Sequence, residues 1–231
     1  DRSSSKVVAL AKKHSSDLHV LHLTTEKEIE LFTNDPVKNK KITCEACVHH
    51  LWFDERDYAE LGNLIVCNPA IKKESDRNAL RKALKDGYID LVATDHAPHV
   101  FEDKKLPYLK APAGIPLIEH SFQIMIELHK QGYYSLNEVI SYMSHKVADR
   151  FSIKDRGYIR EGYKADFIIF DLDKETLVSN ETELTKCRWS PFDGKTFSSS
   201  VYGTIINGKP IVINGKLVSD TSSSEKLRFD R

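Results

Sequence analysis

Net charge is missing from this chain. Its 231 residues carry 34 lysines and arginines against 34 aspartates and glutamates, a formal balance of zero. That balance offers no electrostatic surface for nucleic acid or for an anionic membrane. Long apolar runs are missing too, since none approaches the ~20 residues that a spanning helix needs. Cysteine is scarce: Cys44, Cys47, Cys67 and Cys187 are too few and too scattered to scaffold a chain of this size. The expectation is a reducing, cytoplasmic setting. There is no internal repeat. The opening "DRSSSKVVALAKKH" lacks a signal-peptide pattern and reads as the middle of a protein, a polar lead into an amphipathic helix.

With 40% hydrophobic residues the chain can bury the core of one large domain, or of one and a half. Helical periodicity over 4–14 is followed by a strand at 17–25 and a helix at 26–35, with Thr24 or Thr25 as N-cap. "KKITCEACVHHLWF" contains the next strand, "NLIVCNPAI" is an extended run stopped by Pro69, and 74–87 is a helix capped near Ser75 or Asp76 and closed by Gly87. "YIDLVATD" is a third apolar strand. Helices at 116–132 and 135–152 follow, the second opening on a Ser135/Glu138 capping box. Strands alternating with helices predict parallel βα units up to about residue 152. The rhythm then changes. "KADFIIFDLD" and "GTIINGKPIVINGKLV", with turns at Asn207-Gly208 and Asn214-Gly215, predict antiparallel structure after a boundary near 153–160. The tail 219–231 is polar and expected to fray.

Ten histidines are the enriched feature, and they gather near the ends of the three predicted parallel strands. The first strand gives His19 and His22, the second Glu45, His49 and His50, and the third Asp95, His96 and His99. Functional groups collect at such ends in parallel βα folds. Imidazole and carboxylate side by side are the ligand types of a hydrolytic zinc ion. Spacing alone therefore points to a metal-dependent hydrolase, against the plain alternative of packed or solvated histidines. Strand alternation places His22 on the face of Leu18 and Val20 and sends His19 to an outer, structural face.

Larger motifs carry a resemblance. "ATDHAPH", "HVLHLTT", "ITCEACVHHL", "CNPAIK" and "KAPAGIPLIEH" resemble, in order and spacing, the segments around the last barrel strands of dihydroorotases, within the amidohydrolase superfamily. "GYKADFIIFDL" and "SPFDGKTF" with "GTIINGK" resemble that family's C-terminal β-domain. The resemblance implies an α/β fold: the last three βα units of a TIM-type (β/α)8 barrel in residues 1–155, a small β-sandwich segment in 156–218, and the tail 219–231. It implies reversible, zinc-dependent hydrolysis of (S)-dihydroorotate to N-carbamoyl-L-aspartate in pyrimidine biosynthesis, with one or two zinc ions. No nucleic acid or membrane partner is implied, and a homodimer is compatible with it. His22 and Asp95 match metal ligands, and Asp95 also matches the catalytic general base. Asn68, His99, Ala113 and Gly114 match substrate contacts, Gly114 allowing close approach. His96 reads as support, and Glu45 and His50 as packing or ligand support.

The family's His-x-His pair and arginine on the first barrel strand, its lysine or aspartate on the fourth and its histidine on the fifth have no counterpart in this chain. The chain is therefore expected to be inactive alone. The rival readings are another cyclic amidase, a hydantoinase or allantoinase, and a non-catalytic scaffold that partners another pyrimidine enzyme. A Cys-x-x-C metal or redox reading of Cys44 and Cys47 fails because the two would face opposite sides of a strand.

Overall fold

A computed structural model describes residues 2–219 and 224–230. The helices are α1 (Arg2–His14), α2 (Glu26–Ile29), α3 (Val48–Trp52), α4 (Tyr58–Leu61), α5 (Glu74–Asp86), α6 (Phe101–Lys104), α7 (Ser121–Lys130), α8 (Leu136–Ile140) and α9 (Lys146–Phe151). The strands are β1 (Leu18–Val20), β2 (Ile42–Cys47), β3 (Leu91–Ala93), β4 (Phe167–Asp171), β5 (Thr176–Leu177), β6 (Thr196–Phe197), β7 (Ser200–Ile206), β8 (Lys209–Ile213) and β9 (Lys216–Leu217).

β1, β2 and β3 form a parallel sheet in that order, with Leu18 opposite Ile42 and Cys47 opposite Ala93. The expected strands are there but shorter: β1 leaves the ladder at Leu21, β2 gives way to a helix at Val48, and β3 ends before Thr94. Alternation sorts β2 into two faces. Cys44 and Ala46 sit in the apolar core with Leu80, Leu84, Ile124 and Leu128 of α5 and α7, and Leu18 and Val20 pack against it. Thr43, Glu45 and Cys47 occupy the other face, also buried. α5 folds as its sequence dictates: Leu80, Ala83 and Leu84 make the buried stripe, and Gly87 at φ 85° turns its amide back to the carbonyls of Ala83 and Leu84. Its cap position is Lys73, and Asp76 instead accepts the amide of Glu26 at 3.0 Å.

The predicted 135–152 helix begins on the Ser135/Glu138 capping box but is interrupted by a π-helical turn at Ser141–His145 before α9. β4, β7, β8 and β9 form an antiparallel sheet in the order β4-β7-β8-β9. Its hairpins turn on Asn207-Gly208 and Asn214-Gly215, all four residues at positive φ, the type I′ geometry that Asn-Gly favours.

Among the described residues the β-domain segment is one four-stranded sheet plus the two-stranded β5-β6 ribbon. Ile168, Ile169, Tyr202 and Leu217 of the larger sheet remain exposed. Val178, Phe192 and Phe197, from the 156–218 segment, share the core of the parallel unit, with Phe192 stacked on Phe53 at 5.3 Å. The tail is not frayed throughout. Lys154 donates its amide to Arg228 and Asp230 donates to Ser152, both at 2.9 Å, because residues 228–230 add a bridge beside Ile153. Residues 220–223 and 231 of that tail lie outside the described residues.

Candidate active site at the strand ends

β1 ends at Val20 and β3 at Ala93, and each is followed two residues later by a non-glycine residue in left-handed backbone: His22 at φ 41° and Asp95 at φ 46°. Such conformations cost of order 1–3 kcal/mol and persist where surrounding structure imposes them, often at functional sites. His22 is half-buried and Asp95 exposed, and neither makes a hydrogen bond or ion pair among the described residues. Asp95 lies close enough to the Cys47 and Cys67 thiols for its charge to act on them, and His22 does the same to His49 and His50. The three strand ends thus converge on one region.

Because β1 stops early, strand alternation does not set the direction of His22 as expected. His19, expected on an outer face, shares the polar face with Thr43 and Glu45. Its Nε2 donates to Glu45 at 3.0 Å, its Nδ1 lies 2.8 Å from the Thr43 hydroxyl, and Phe151 meets its ring edge-on. The apolar face of β1 is the one that packs on helices, so the polar histidine takes the opposite side. Cys44 and Cys47 do face opposite ways, Cys44 toward the Tyr88 carbonyl and Cys47 toward Glu45 and Asp95. His50 is not on the strand, since β2 ends at Cys47 and α3 begins at Val48.

Asn68 is exposed and precedes a cis Pro69. His99 donates Nε2–H to the Ala113 carbonyl at 3.0 Å, and its own carbonyl accepts from the Trp189 indole at 2.7 Å. Gly114, at φ 150°, lets Ala97 and His99 approach so closely that a Cβ would sit 2.7 Å from the Ala97 carbonyl oxygen and 2.8 Å from His99 Cδ2. Its amide is donated to the Val66 carbonyl at 2.9 Å, so in this structure the close approach serves protein groups. His96 acts as a brace, its Nδ1 accepting from the amides of Leu117 and Ile118.

One organising residue was invisible in the sequence. Lys104, 1% exposed, donates to the carbonyls of Val66 (3.2 Å), Pro112 (2.9 Å) and Gly114 (2.9 Å), tying together the segments that carry Asn68, Ala113 and Gly114. "FEDKK" reads like any solvated charge run, and nothing in its spacing marks the first lysine as buried.

Electrostatics at the strand ends favour neutral donors. Burial, then the charges of Glu45 and Asp95, pushes the Cys47 thiol far up, and burial pushes Cys67 to about 12. Burial lowers His50 to about 4 and holds His49 well below the usual imidazole range. Among the described residues, two groups bring three ligand atoms within 4.8 Å of one another: Cys47, His49 and His50, and Glu119, His120 and Glu183. Neither includes His22 or Asp95. Those two fit a hydrolytic metal by donor chemistry and by their lack of other partners, but they do not make a closed three-ligand set by themselves. A cleft of about 1370 Å³ between the α7–α9 region and the antiparallel sheet contains none of the residues expected at the site.

Comparison with known proteins places this geometry. The model of the amidohydrolase family matches residues 6–211. A dihydroorotase of Ehrlichia chaffeensis is 36% identical over 191 residues, 83% of this chain and 42% of that protein. The Bacillus subtilis dihydroorotase is 34% identical over 212 residues, 91% of this chain and 49% of that protein. The chain therefore spans about half the length of the curated relatives it matches. Among solved structures, the L-hydantoinase (dihydropyrimidinase) of Arthrobacter aurescens superposes with a TM-score of 0.88 at 25% identity, over 94% of this chain and 49% of that one. No helix among the described residues is long and apolar enough to cross a membrane. From its TIM-barrel-type α/β architecture and its sequence together, the chain belongs to the amidohydrolase family.

Proposed function

We propose that this chain supplies the last three βα units of a dihydroorotase barrel, and that the whole protein reversibly opens (S)-dihydroorotate to N-carbamoyl-L-aspartate in pyrimidine synthesis. The observation that carries this reading is the pair His22 and Asp95, both in left-handed backbone just past parallel strands and neither engaged in a hydrogen bond or ion pair among the described residues. The sequence likeness to dihydroorotases supports the substrate class.

In this reading His22 and Asp95 hold zinc, which supplies Lewis-acid polarisation of the ring amide carbonyl and a more acidic water. Asp95 takes the proton of the attacking water as its oxygen bonds to the amide carbon. It passes that proton to the ring nitrogen as the C–N bond breaks. His99, held in place by its Nε2–H bond to the Ala113 carbonyl, contacts the substrate carboxylate in this reading. Asn68 contacts the ring from the segment that Lys104 anchors, and the 113–114 loop closes over it. The remaining ligands come from sequence beyond this chain. Buried free thiols suit a reducing, cytoplasmic setting.

The test is turnover by the whole protein. Dihydroorotate hydrolysis is expected to vanish on chelation, return with zinc, and fall by at least about 10³-fold in Asp95→Asn, the scale of losing a central catalytic group. A clear preference for hydantoin or allantoin would overturn the substrate, a reading that the hydantoinase-like fold keeps in play. No turnover of any cyclic amide would favour a scaffold. Turnover by the 231-residue chain alone would overturn the divided site.

A further inference from the structure

We propose that Cys47, His49 and His50 form a second metal site, for a thiophilic ion such as zinc, distinct from the His22–Asp95 pair. One ligand atom of each lies within 4.8 Å of the others. All three residues are buried by the chain itself, at 0%, 1% and 3% exposure. The local fold explains the gathering. β2 ends on Cys47, whose side chain belongs to the polar face, and α3 starts at the next residue, so its first turn brings both histidines back beside the thiol.

A second, independent observation points to a ligand. Both ring nitrogens of His49, and Nδ1 of His50, are buried without a hydrogen-bond partner among the described residues. Orphaned buried groups of this kind cost about 1–3 kcal/mol each and call for an explanation. His50 Nε2 donates to the Pro69 carbonyl at 2.9 Å. In a neutral ring that leaves Nδ1 with its lone pair free, the arrangement that fixes a metal-binding tautomer. The two rings lie 4.0 Å apart and tilted by 48°.

One thiol sulfur and two imidazole nitrogens select zinc or a similarly soft ion and reject magnesium and calcium, which want oxygen. Binding replaces the S–H bond of Cys47 by a sulfur–metal bond and releases one proton to solvent. The thiol in "CEAC" that matters is thus Cys47, and its partners are the histidines that follow it, not Cys44. The site does not depend on the hydrolytic reading, because its ligands include neither His22 nor Asp95.

Cobalt(II) titration of the metal-free protein tests this. The expected result is a near-ultraviolet sulfur-to-cobalt charge-transfer band, lost in Cys47→Ser and in His49→Gln and kept in Cys187→Ser and Asp95→Asn. Absence of the band in the unsubstituted protein overturns the proposal, whatever the folding of the variants, and so does survival of the band in Cys47→Ser. Activity plays no part in the readout, so failure of the dihydroorotase reading leaves it untouched.

Discussion

The ammonium of Lys104 donates to the carbonyl of Gly114 across 2.9 Å, from a side chain that solvent scarcely reaches. Lys104→Met would leave the Gly114 and Pro112 carbonyls without this donor, while the Val66 carbonyl keeps the Gly114 amide. A loss of about 2–5 kcal/mol is expected from two orphaned acceptors, read by urea denaturation. Burial lowers the Lys104 amine to about 8 from 10.5. The unfolded chain then binds more protons between those values, so this group makes stability rise with pH across that window. Lys104→Met should flatten the rise, and an unchanged alkaline profile would contradict the assignment.

Gly114→Ala forces a Cβ into the Ala97 carbonyl and the His99 ring. Backbone must shift, at about 1–3 kcal/mol. The expected signature is a lower melting temperature together with a displaced His99 ring resonance in NMR, since His99 is held at Ala113 next door. Loss of stability with His99 unmoved would show that the strain relaxes elsewhere.

His120 joins the parallel unit to the 174–199 segment. Nδ1 donates to the side-chain amide oxygen Oε1 of Gln123 at 3.0 Å, and Nε2 donates to Glu183 at 2.6 Å. Gln123 cannot flip without losing its own bond to the Ser199 carbonyl, so both ring nitrogens face acceptors. Burial opposes the charged ring, but the bonds to Glu183 and Gln123 and the charges of Glu183 and Glu119 prevail and raise the imidazole above 6.5. A raised folded value stabilises fully below 6.5, and the gain is lost as pH climbs through the folded value. Glu119, raised by burial and by Glu183, acts in the same direction at lower pH. Unfolding free energy should therefore fall as pH rises past about 6.5, and Glu183→Gln should weaken that dependence. Glu183→Ala should cost about 3–5 kcal/mol, because it leaves a buried charge unpaired.

Lys40 and Asp90 pair at 2.8 Å with both side chains 2% exposed, and Asp90 also accepts the Cys44 amide at 3.0 Å. Lys40→Met alone should destabilise by about 3–5 kcal/mol, whereas Lys40→Met with Asp90→Asn should recover much of it, because no bare carboxylate remains. Equal losses in the single and double variants, read by chemical denaturation, would count against a buried charge as the cause.

Much of this protein is legible in order of residues. The α5 stripe, the Ser135 capping box, the Asn-Gly hairpins and the sequence of parallel strands follow from local rules that tertiary packing leaves in force. The strand-end histidines and Asp95 stand out in the sequence because their types cluster where βα folds gather functional groups. The errors came where local rules stop. Alternation assigns residues to two faces but does not say which face meets helices, so it does not by itself place His19 beside Thr43 and Glu45. β2 gives way to α3 one residue before His49, and no periodicity in six residues announces that change.

By itself the sequence determined the element order, the hairpin turns and the residue types offered to a metal, since these rest on backbone preference and composition within a few residues. Only the tertiary structure decided that Lys104 is a buried clamp, that His120 bridges to Glu183 across 63 positions, and that Cys47 meets His49 and His50 in a dry corner. Those relations depend on which distant surfaces exclude water together, and desolvation, unlike helix or turn propensity, belongs to the packed chain and not to any segment of it.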